Sequence, residues 1–367
     1  MSNAVCRWGF LSTAAIARKN WKAIRLSGNG VITAVASRSE SRAQMFIDEC
    51  SAEVPQPNPV AALGSYEALL ARDDIDAVYL PLPTGIRKEW VIRAAEAGKH
   101  VLCEKPIATN ASDAKEMIDA CASAGVQFMD GVMFEHSSRL PALRKRLDDE
   151  KVIGRLRRMN THFSFCGDDS FQESNIRADH DLEPHGALGD LGWYCIRFML
   201  WVMNDQLPTH VSARTLQSIG NDSSDGQVPG EMSAELRFGD DVSGSFYCSF
   251  QTENQQTALL SGDKGYVFLD DFVLPFYNAQ IGWSEHAHQL EIDNCRWNFN
   301  RRSSGQAVDE YASGEANAQE VNMIRNFGEM AISGELDPRH AEIALKTQQV
   351  LDACRRSEID DGKMIAL

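Results

Sequence analysis

The hydrophobic rhythm of this chain changes once, near residue 154, and that change constrains its fold more than any other feature. Up to about residue 132, short apolar runs alternate with amphipathic stretches of helical period, the pattern of a parallel sheet with crossover helices. Strands are expected at Cys6–Leu11, Val31–Ser37, Asp76–Leu82, His100–Cys103 and Gln127–Val132, with helices at Thr13–Leu26, Glu40–Cys50, Arg87–Ala97 and Ala111–Ala124. Gly98 and Gly125 stand where the last two helices should end, and Pro55–Pro59 reads as a surface loop within this unit. Beyond residue 154 the period becomes two. Met232, Ala234, Leu236 and Phe238 alternate with Ser233, Glu235 and Arg237, and the alternation resumes at Val242 after a Gly239-Asp240-Asp241 turn, so the pair reads as a hairpin with one apolar face. Further strands at Leu156–Phe165, His210–Leu216, Thr257–Ser261 and Tyr266–Asp270 extend it, and helices are expected at Ala187–Met203, Ala316–Ser333 and Arg339–Ser357.

A length of 367 residues fits two such units. The charge balance, 36 Lys and Arg against 52 Asp and Glu, gives −16 and argues against a nucleic-acid partner held by a basic field. No apolar run reaches the roughly 18 to 20 residues that span a bilayer, and the N-terminus lacks a secretory pattern, so the expectation is a cytoplasmic protein with no membrane partner. Nine cysteines without a C-x-x-C suggest neither a disulfide framework nor a zinc knuckle. His286-Ala287-His288 has no carboxylate or cysteine cluster to complete a metal site, and it reads as a surface turn; no metal is expected. Cys166 has no histidine at an informative local spacing, and Arg144-Lys145-Arg146 followed by Asp148-Asp149-Glu150 reads as a solvated helix face.

Three stretches carry chemistry. The first, Gly9-Phe10-Leu11-Ser12-Thr13-Ala14-Ala15-Ile16-Ala17, runs from a strand into a helix and could offer backbone N–H groups to a pyrophosphate. Ser12 and Ala14 stand where G-x-G-x-x-G/A would have its first two glycines, so the residues alone describe equally well a tight strand-to-helix turn. The second lies after the second strand. Ser37-Arg38-Ser39 has no carboxylate for a ribose 2′-hydroxyl before Glu40, and its hydroxyl and guanidinium suit a 2′-phosphate, which points to NADP with NAD as the alternative. The third is Glu104-Lys105-Pro106, just past the end of a buried strand, where open α/β sheets bind ligands. Further along, Asp190 and Tyr194 stand four apart and would share one face of a helix; by spacing alone they could equally be a first-turn acid and a core-edge aromatic.

The sequence resembles the Gfo/Idh/MocA family of NAD(P)-dependent oxidoreductases, closest to the branch that contains dihydrodiol dehydrogenase. The resemblance runs from GFLSTAAIARK through VASRS, GSYEALLARDDIDAVYLPLPT, AGKHVLCEKPIA and QFMDGVMF to GALGDLGWYCIR and the closing DGKMIAL. It implies an α/β Rossmann domain with a parallel sheet over 1–132. It further implies an α+β domain over 133–367 with a large, mostly antiparallel sheet that binds substrate and mediates a homodimer, the C-terminal helix packing back on the first domain. Hydride transfer to or from a secondary alcohol or ketone of a sugar, cyclitol or cyclic diol is the implied activity. Alternatives within the family are a regulator without turnover and an NAD-dependent glycosidase. Cofactor contacts are expected from Ser12, Thr13, Ala14, Ile16, Ser37, Arg38, Pro81, Leu82, Thr84, Glu104 and Lys105. Lys105, Asp190 and Tyr194 are the expected catalytic residues: Tyr194 transfers the proton, Lys105 binds the reacting oxygen and favours the phenolate, and Asp190 orients. Lys105 as the direct proton carrier stays open. Arg177 and His185 are the expected substrate contacts. Besides the phosphate loop, the chain departs from the family pattern at Arg87, where relatives commonly have His, and at Glu135-His136.

Overall fold

The computed structural model describes residues 5–367. Six strands, β1 (Cys6–Leu11), β2 (Gly30–Ala36), β3 (Ala61–Leu63), β4 (Ala77–Leu80), β5 (His100–Cys103) and β6 (Phe128–Asp130), form one sheet in the order β3-β2-β1-β4-β5-β6. Every pairing in it is parallel. The crossovers are helices α1 (Ala17–Ser27), α2 (Glu40–Glu53), α3 (Tyr66–Leu70), α4 (Thr84–Glu96) and α5 (Ala111–Ser123). Trp8, Phe10 and Leu11 are fully buried, as a central strand covered on both faces requires. The carboxyl ends of β1, β2, β4, β5 and β6 therefore converge on one edge, which gathers residues 12–16, 37–39, 81–84, 104–106 and 131–133.

Two differences from the expected elements bear on the site. The α1 helix starts at Ala17 rather than Thr13, which leaves 12–16 as an open loop, and α4 starts at Thr84, directly after Pro83, rather than at Arg87. The short β3 and α3 were not expected at all. A three-residue strand carries no readable period, yet it delivers Tyr66 to the same edge.

After α6 (Arg139–Asp148), the chain builds a nine-stranded sheet. Its strands are β7 (Leu156–Cys166), β8 (His210–Ile219), β9 (Val228–Phe238), β10 (Val242–Ser249), β11 (Gln251–Gly262), β12 (Tyr266–Leu269) and β13 (Ile281–His286), with β16 (Ser303–Val308) and β17 (Ile365–Ala366) at its edges. Between β13 and β16, strands β14 (Gln289–Asp293) and β15 (Arg296–Asn300) form a separate two-stranded ribbon. The expected β9–β10 hairpin is present, with Val242 opposite Phe238. The sheet is mostly antiparallel, with β7 and β10 running parallel. Helices α7 (Asp169–Ser174), α8 (Trp193–Val202), α9 (Gln319–Ser333) and α10 (Arg339–Ile359) complete the chain. The α10 helix packs on α8, and on α5 and β6 of the first sheet, while α9 packs on α1. His286 closes β13, so the His286-Ala287-His288 stretch is a strand end leading into the ribbon rather than a surface turn.

A buried charge cluster fastens the parallel sheet to the helices behind the large one. The Arg197 guanidinium donates to Asp130 Oδ2 at 2.7 Å and to Glu135 Oε2 at 3.0 Å, and its Nε donates to Thr347 Oγ1 at 2.7 Å. Burial and the nearby Asp130 carboxylate push Glu135 up to about 7 although Arg197 opposes them. His136 stacks on His340 with ring centroids 5.7 Å apart, and burial lowers it to about 3. Glu135 and His136 thus belong to a structural cluster. Among the described residues no three His, Cys, Asp or Glu side chains are grouped to hold a metal, and no helix is long and apolar enough to cross a membrane.

Candidate active site

The residue before Pro106 is the centre of the site. Lys105 leaves the end of β5, and its Nζ donates to Asp190 Oδ1 at 2.5 Å and to the Asp190 carbonyl at 2.7 Å. Asp190 Oδ2 accepts from Arg177 Nε at 2.6 Å, so one carboxylate holds two cations. Burial alone would raise the Asp190 carboxyl, but Arg177 and Lys105 hold it down to about 2. Lys105 and Asp190 side chains are only 10% and 14% exposed, whereas Arg177 is 42% exposed and can reach a bound molecule while keeping its partner.

Asp190 lies in a single π-helical turn, Leu188–Gly192, that runs into α8, and Tyr194 follows in the first turn of α8. Glycine is required here by close approach: a Cβ on Gly189 would come within 2.7 Å of His185 Cβ and 3.1 Å of Pro106 Cγ. The Lys105 ammonium lies 4.8 Å from the Tyr194 ring centroid. Phe134 and Phe163 pack on the same ring, with centroids at 6.2 Å and 5.7 Å. The expectation of a readily formed phenolate is not met. Burial raises the Tyr194 hydroxyl well above its ordinary value, and the Glu104 and Asp190 carboxylates add to the shift, with Arg177 opposing. None of these influences is a hydrogen bond to the hydroxyl, which leaves it available to a substrate oxygen.

Glu104 is held beside this cluster. Its Oε1 accepts from Tyr79 Oη at 2.7 Å, its Oε2 from the Lys105 amide at 3.3 Å, and a Cβ on Gly131 would stand 3.1 Å from the carboxylate.

The phosphate-loop edge is open. Ser12 adopts φ +135°, the region where glycine is expected, and its Oγ accepts from the Ala14 amide at 3.2 Å. The amides of Thr13, Ala15 and Ile16 find no acceptor among the described residues, Ile16 is 44% exposed, and α1 has no acidic residue in its first turn. Tyr66, supplied by α3, stands between the two ends of this edge: burial raises its hydroxyl, and nearby Arg38, Ser12 and Arg42 oppose the shift. Ser37 is buried, Ser39 caps α2, and Arg38 is exposed with no carboxylate partner among the described residues.

Other expected contacts are engaged elsewhere. Thr84 donates through its amide at 3.0 Å and its hydroxyl at 2.6 Å to Glu183, and the Gly85 amide donates to the Leu182 carbonyl at 2.9 Å, clamping the 179–186 segment onto the start of α4. Pro81 and Leu82 are buried, and the Leu82 carbonyl accepts from Arg87. Arg87 also donates to the Pro106 carbonyl, so it ties the loop after β4 to the backbone just past Lys105 rather than facing a ligand. His185, expected at the substrate, does not join the cluster. Its Nε2 donates to the Thr109 carbonyl at 3.1 Å, and burial, with Arg355 adding to it, lowers its ring to about 4, so it straps the segment after Lys105 to the turn that carries Asp190.

The chain belongs to the Gfo/Idh/MocA family. The family's model for an oxidoreductase with an NAD-binding Rossmann fold matches residues 6–132, and that for the GFO/IDH/MocA C-terminal domain matches 142–268. A D-xylose 1-dehydrogenase (NADP(+)) of Haloferax volcanii is 33% identical over 68% of this chain and 71% of its own. A trans-1,2-dihydrobenzene-1,2-diol dehydrogenase of Mus musculus is 32% identical over 71% of this chain and 73% of its own. In structure, the chain is similar to a tyrosine-to-phenylalanine variant of a 3-ketoreductase from Actinomadura kijaniata in complex with TDP-benzene and NADP, with TM-score 0.79, 26% identity, and 96% of this chain and 98% of that one covered.

Proposed function

We propose that the protein is an NADP(H)-dependent oxidoreductase that interconverts a secondary alcohol and a ketone on a sugar, cyclitol or cyclic diol. The observation that carries this reading is the convergence of Lys105, Asp190 and Tyr194 beside the open phosphate-loop edge. The relatives named above act on a sugar, on a cyclic diol or as a ketoreductase, and two of them carry NADP in their names or complexes.

The residues fit a dinucleotide. Unpaired amides at 13, 15 and 16 and the uncapped start of α1 suit a pyrophosphate, and Arg38 with Ser37, Arg42 and Tyr66 suits a 2′-phosphate. When bound, the nicotinamide supplies or receives the hydride. The protein's task is then the oxygen. Tyr194 keeps its proton through neutral pH and donates it to the oxygen that gains charge as a ketone is reduced. Lys105 places a positive N–H donor next to that oxygen, and Asp190 fixes Lys105 from behind while holding Arg177 toward the substrate's remaining hydroxyls. Retention of this whole cluster favours an enzyme over a regulator without turnover.

In this reading, residues 1–132 hold the cofactor, and 133–367 form the substrate pocket and the contact of a cytoplasmic homodimer. The outer face of the nine-stranded sheet, with Arg158, Asn160, His162, Ser245 and Tyr247, carries no covering helix among the described residues and forms a concave surface of about 640 Å³ suited to a second subunit. Seven buried thiols and two exposed ones suit a reducing compartment. The test is a screen of NADPH oxidation and NADP reduction over sugars, inositols and diols, with aryl glycosides included. Turnover of a ketone or alcohol with matching cofactor change supports the proposal; glycoside release without net cofactor change contradicts it.

A further inference from the structure

The chain from Arg177 to Asp190 is closed at its ends by the ion pair between those two residues. Within it the Asp179 carboxylate accepts from the amides of Asp181 and Leu182 at 2.9 and 3.0 Å, and the Glu183 amide donates to the Asp179 carbonyl at 2.8 Å. The segment is therefore a compact loop organised by its own residues, and its place in the site depends on how it is fastened to the parallel sheet. His185 fastens one side, through the Thr109 carbonyl after β5. Glu183 fastens the other, at the start of α4.

That helix start cannot cap itself. Pro83 precedes it with no side-chain oxygen, and the first turn of α4 holds no acidic residue. Glu183 fills both roles from 99 residues further along, Oε1 accepting from the Thr84 amide at 3.0 Å and Oε2 from the Thr84 hydroxyl at 2.6 Å. With both oxygens spent on one residue, the carboxylate is fixed in orientation as well as in distance. The backbones fit as closely: a Cβ on Gly85 would collide with the Asp181 carbonyl. On its other side Glu183 is felt by Arg177, whose guanidinium is held above its ordinary value by Asp190 first, with burial opposing and Glu183 adding. One half-buried carboxylate thus stands between residues 81–84, at the carboxyl edge of the parallel sheet, and the loop that carries Arg177 and Asp190.

We infer that Glu183 is a positioning residue: as the cap of α4 it locks the Arg177–Asp190 loop, and through Asp190 the Lys105 ammonium, in register with the cofactor edge, so that a dinucleotide bound on that edge orders the loop. The inference deepens the oxidoreductase reading given above and rests on it. Glu183 acts through Thr84 on one side and through Arg177 and Asp190 on the other, by hydrogen-bonded position rather than by charge. Glu183→Gln keeps an acceptor for the Thr84 amide and an amide group for its hydroxyl, whereas Glu183→Ala keeps neither.

The test is hydrogen–deuterium exchange of the full chain with and without NADPH, on wild type, Glu183→Ala and Glu183→Gln, beside a fluorescence titration of NADPH and steady-state kinetics. In wild type and Glu183→Gln, NADPH should slow exchange across 177–190 by about 5-fold or more, and in Glu183→Ala it should not. The NADPH dissociation constant should stay within about 3-fold throughout, while Glu183→Ala raises the substrate KM and loses roughly 10- to 100-fold in kcat/KM, most of which Glu183→Gln recovers. Absence of protection in wild type, or equal protection in wild type and Glu183→Ala, overturns the inference and leaves an active wild type's assignment standing. A Glu183→Gln that behaves as Glu183→Ala also overturns it, since charge and not position would then be at work. If NADPH binds but no substrate turns over, the reading falls and the exchange pattern alone decides the inference; a wild type that does not bind NADPH overturns both. Should Glu183→Ala lose its native circular dichroism spectrum, Thr84→Val, which removes the hydroxyl end of the hold, is judged by the same protection and the same KM.

Discussion

The Lys105 ammonium sits 4.8 Å above the Tyr194 ring and spends its hydrogen bonds on Asp190, not on the Tyr194 hydroxyl. The two groups that would meet the reacting oxygen therefore do not neutralise one another. Tyr194, buried and flanked by the carboxylates of Glu104 and Asp190, keeps its proton, and the ammonium is held beside it as a separate donor.

Asp190 is expected to matter through geometry. Asp190→Asn releases Lys105 and Arg177 from a shared carboxylate and should lower kcat by about 100-fold, with NADPH affinity unchanged in a fluorescence titration. Because the folded carboxyl stays ionised down to about 2, the wild-type kcat profile should show no acid limb from Asp190 between pH 4 and 6.

Cofactor choice is expected to depend on Arg38. A hydrogen bond to a charged phosphate contributes about 1.5 to 3 kcal/mol, so Arg38→Ala should weaken NADPH by roughly 10- to 150-fold and leave NADH almost unchanged. Equal losses for both cofactors would remove the assignment of the 2′-phosphate to this side chain.

Glu135 makes stability depend on pH in a defined window. Its carboxyl rises to about 7 in the fold, against about 4.3 in an unfolded chain, so between these values the folded state holds a proton that the unfolded chain has lost. Its contribution to stability is therefore full below about 4.3 and declines as pH rises toward 7. His185 and His136 act in the opposite sense, losing stability as pH falls from about 6.5 toward 4 and 3. Urea unfolding of Glu135→Gln beside wild type isolates the first effect: the difference between them should shift in favour of the variant from pH 5 to pH 7. Arg197→Leu, which strands Asp130 and Glu135, should cost about 3 to 5 kcal/mol at neutral pH.

The fold and the site were unequally legible in the sequence. The buried strands β1 and β5, the β9–β10 hairpin, and Lys105 at a strand end could be read because period and position act locally. Tyr66 could not, since β3 has three residues and its helix five, too few to show a period. The fate of Thr84, Arg87 and His185 depended on Glu183, Pro106 and Thr109, partners fixed only when distant segments pack. The direction of the Tyr194 shift was misjudged for the same reason. Spacing placed an ammonium nearby, but burial among Phe134 and Phe163 and two carboxylates governs the hydroxyl. The ribbon's alternation at Leu290, Ile292, Trp297 and Phe299 is local and present in the sequence.

The most direct test of the proton-transfer account is steady-state reduction of an identified ketone, with wild type beside Tyr194→Phe and Lys105→Ala and NADPH affinity measured in parallel. Each variant should lose roughly 10²- to 10⁴-fold in kcat while the cofactor still binds, and wild-type kcat should show no ionisation of Tyr194 between pH 6 and 9. Near-wild-type turnover in both variants would contradict the account.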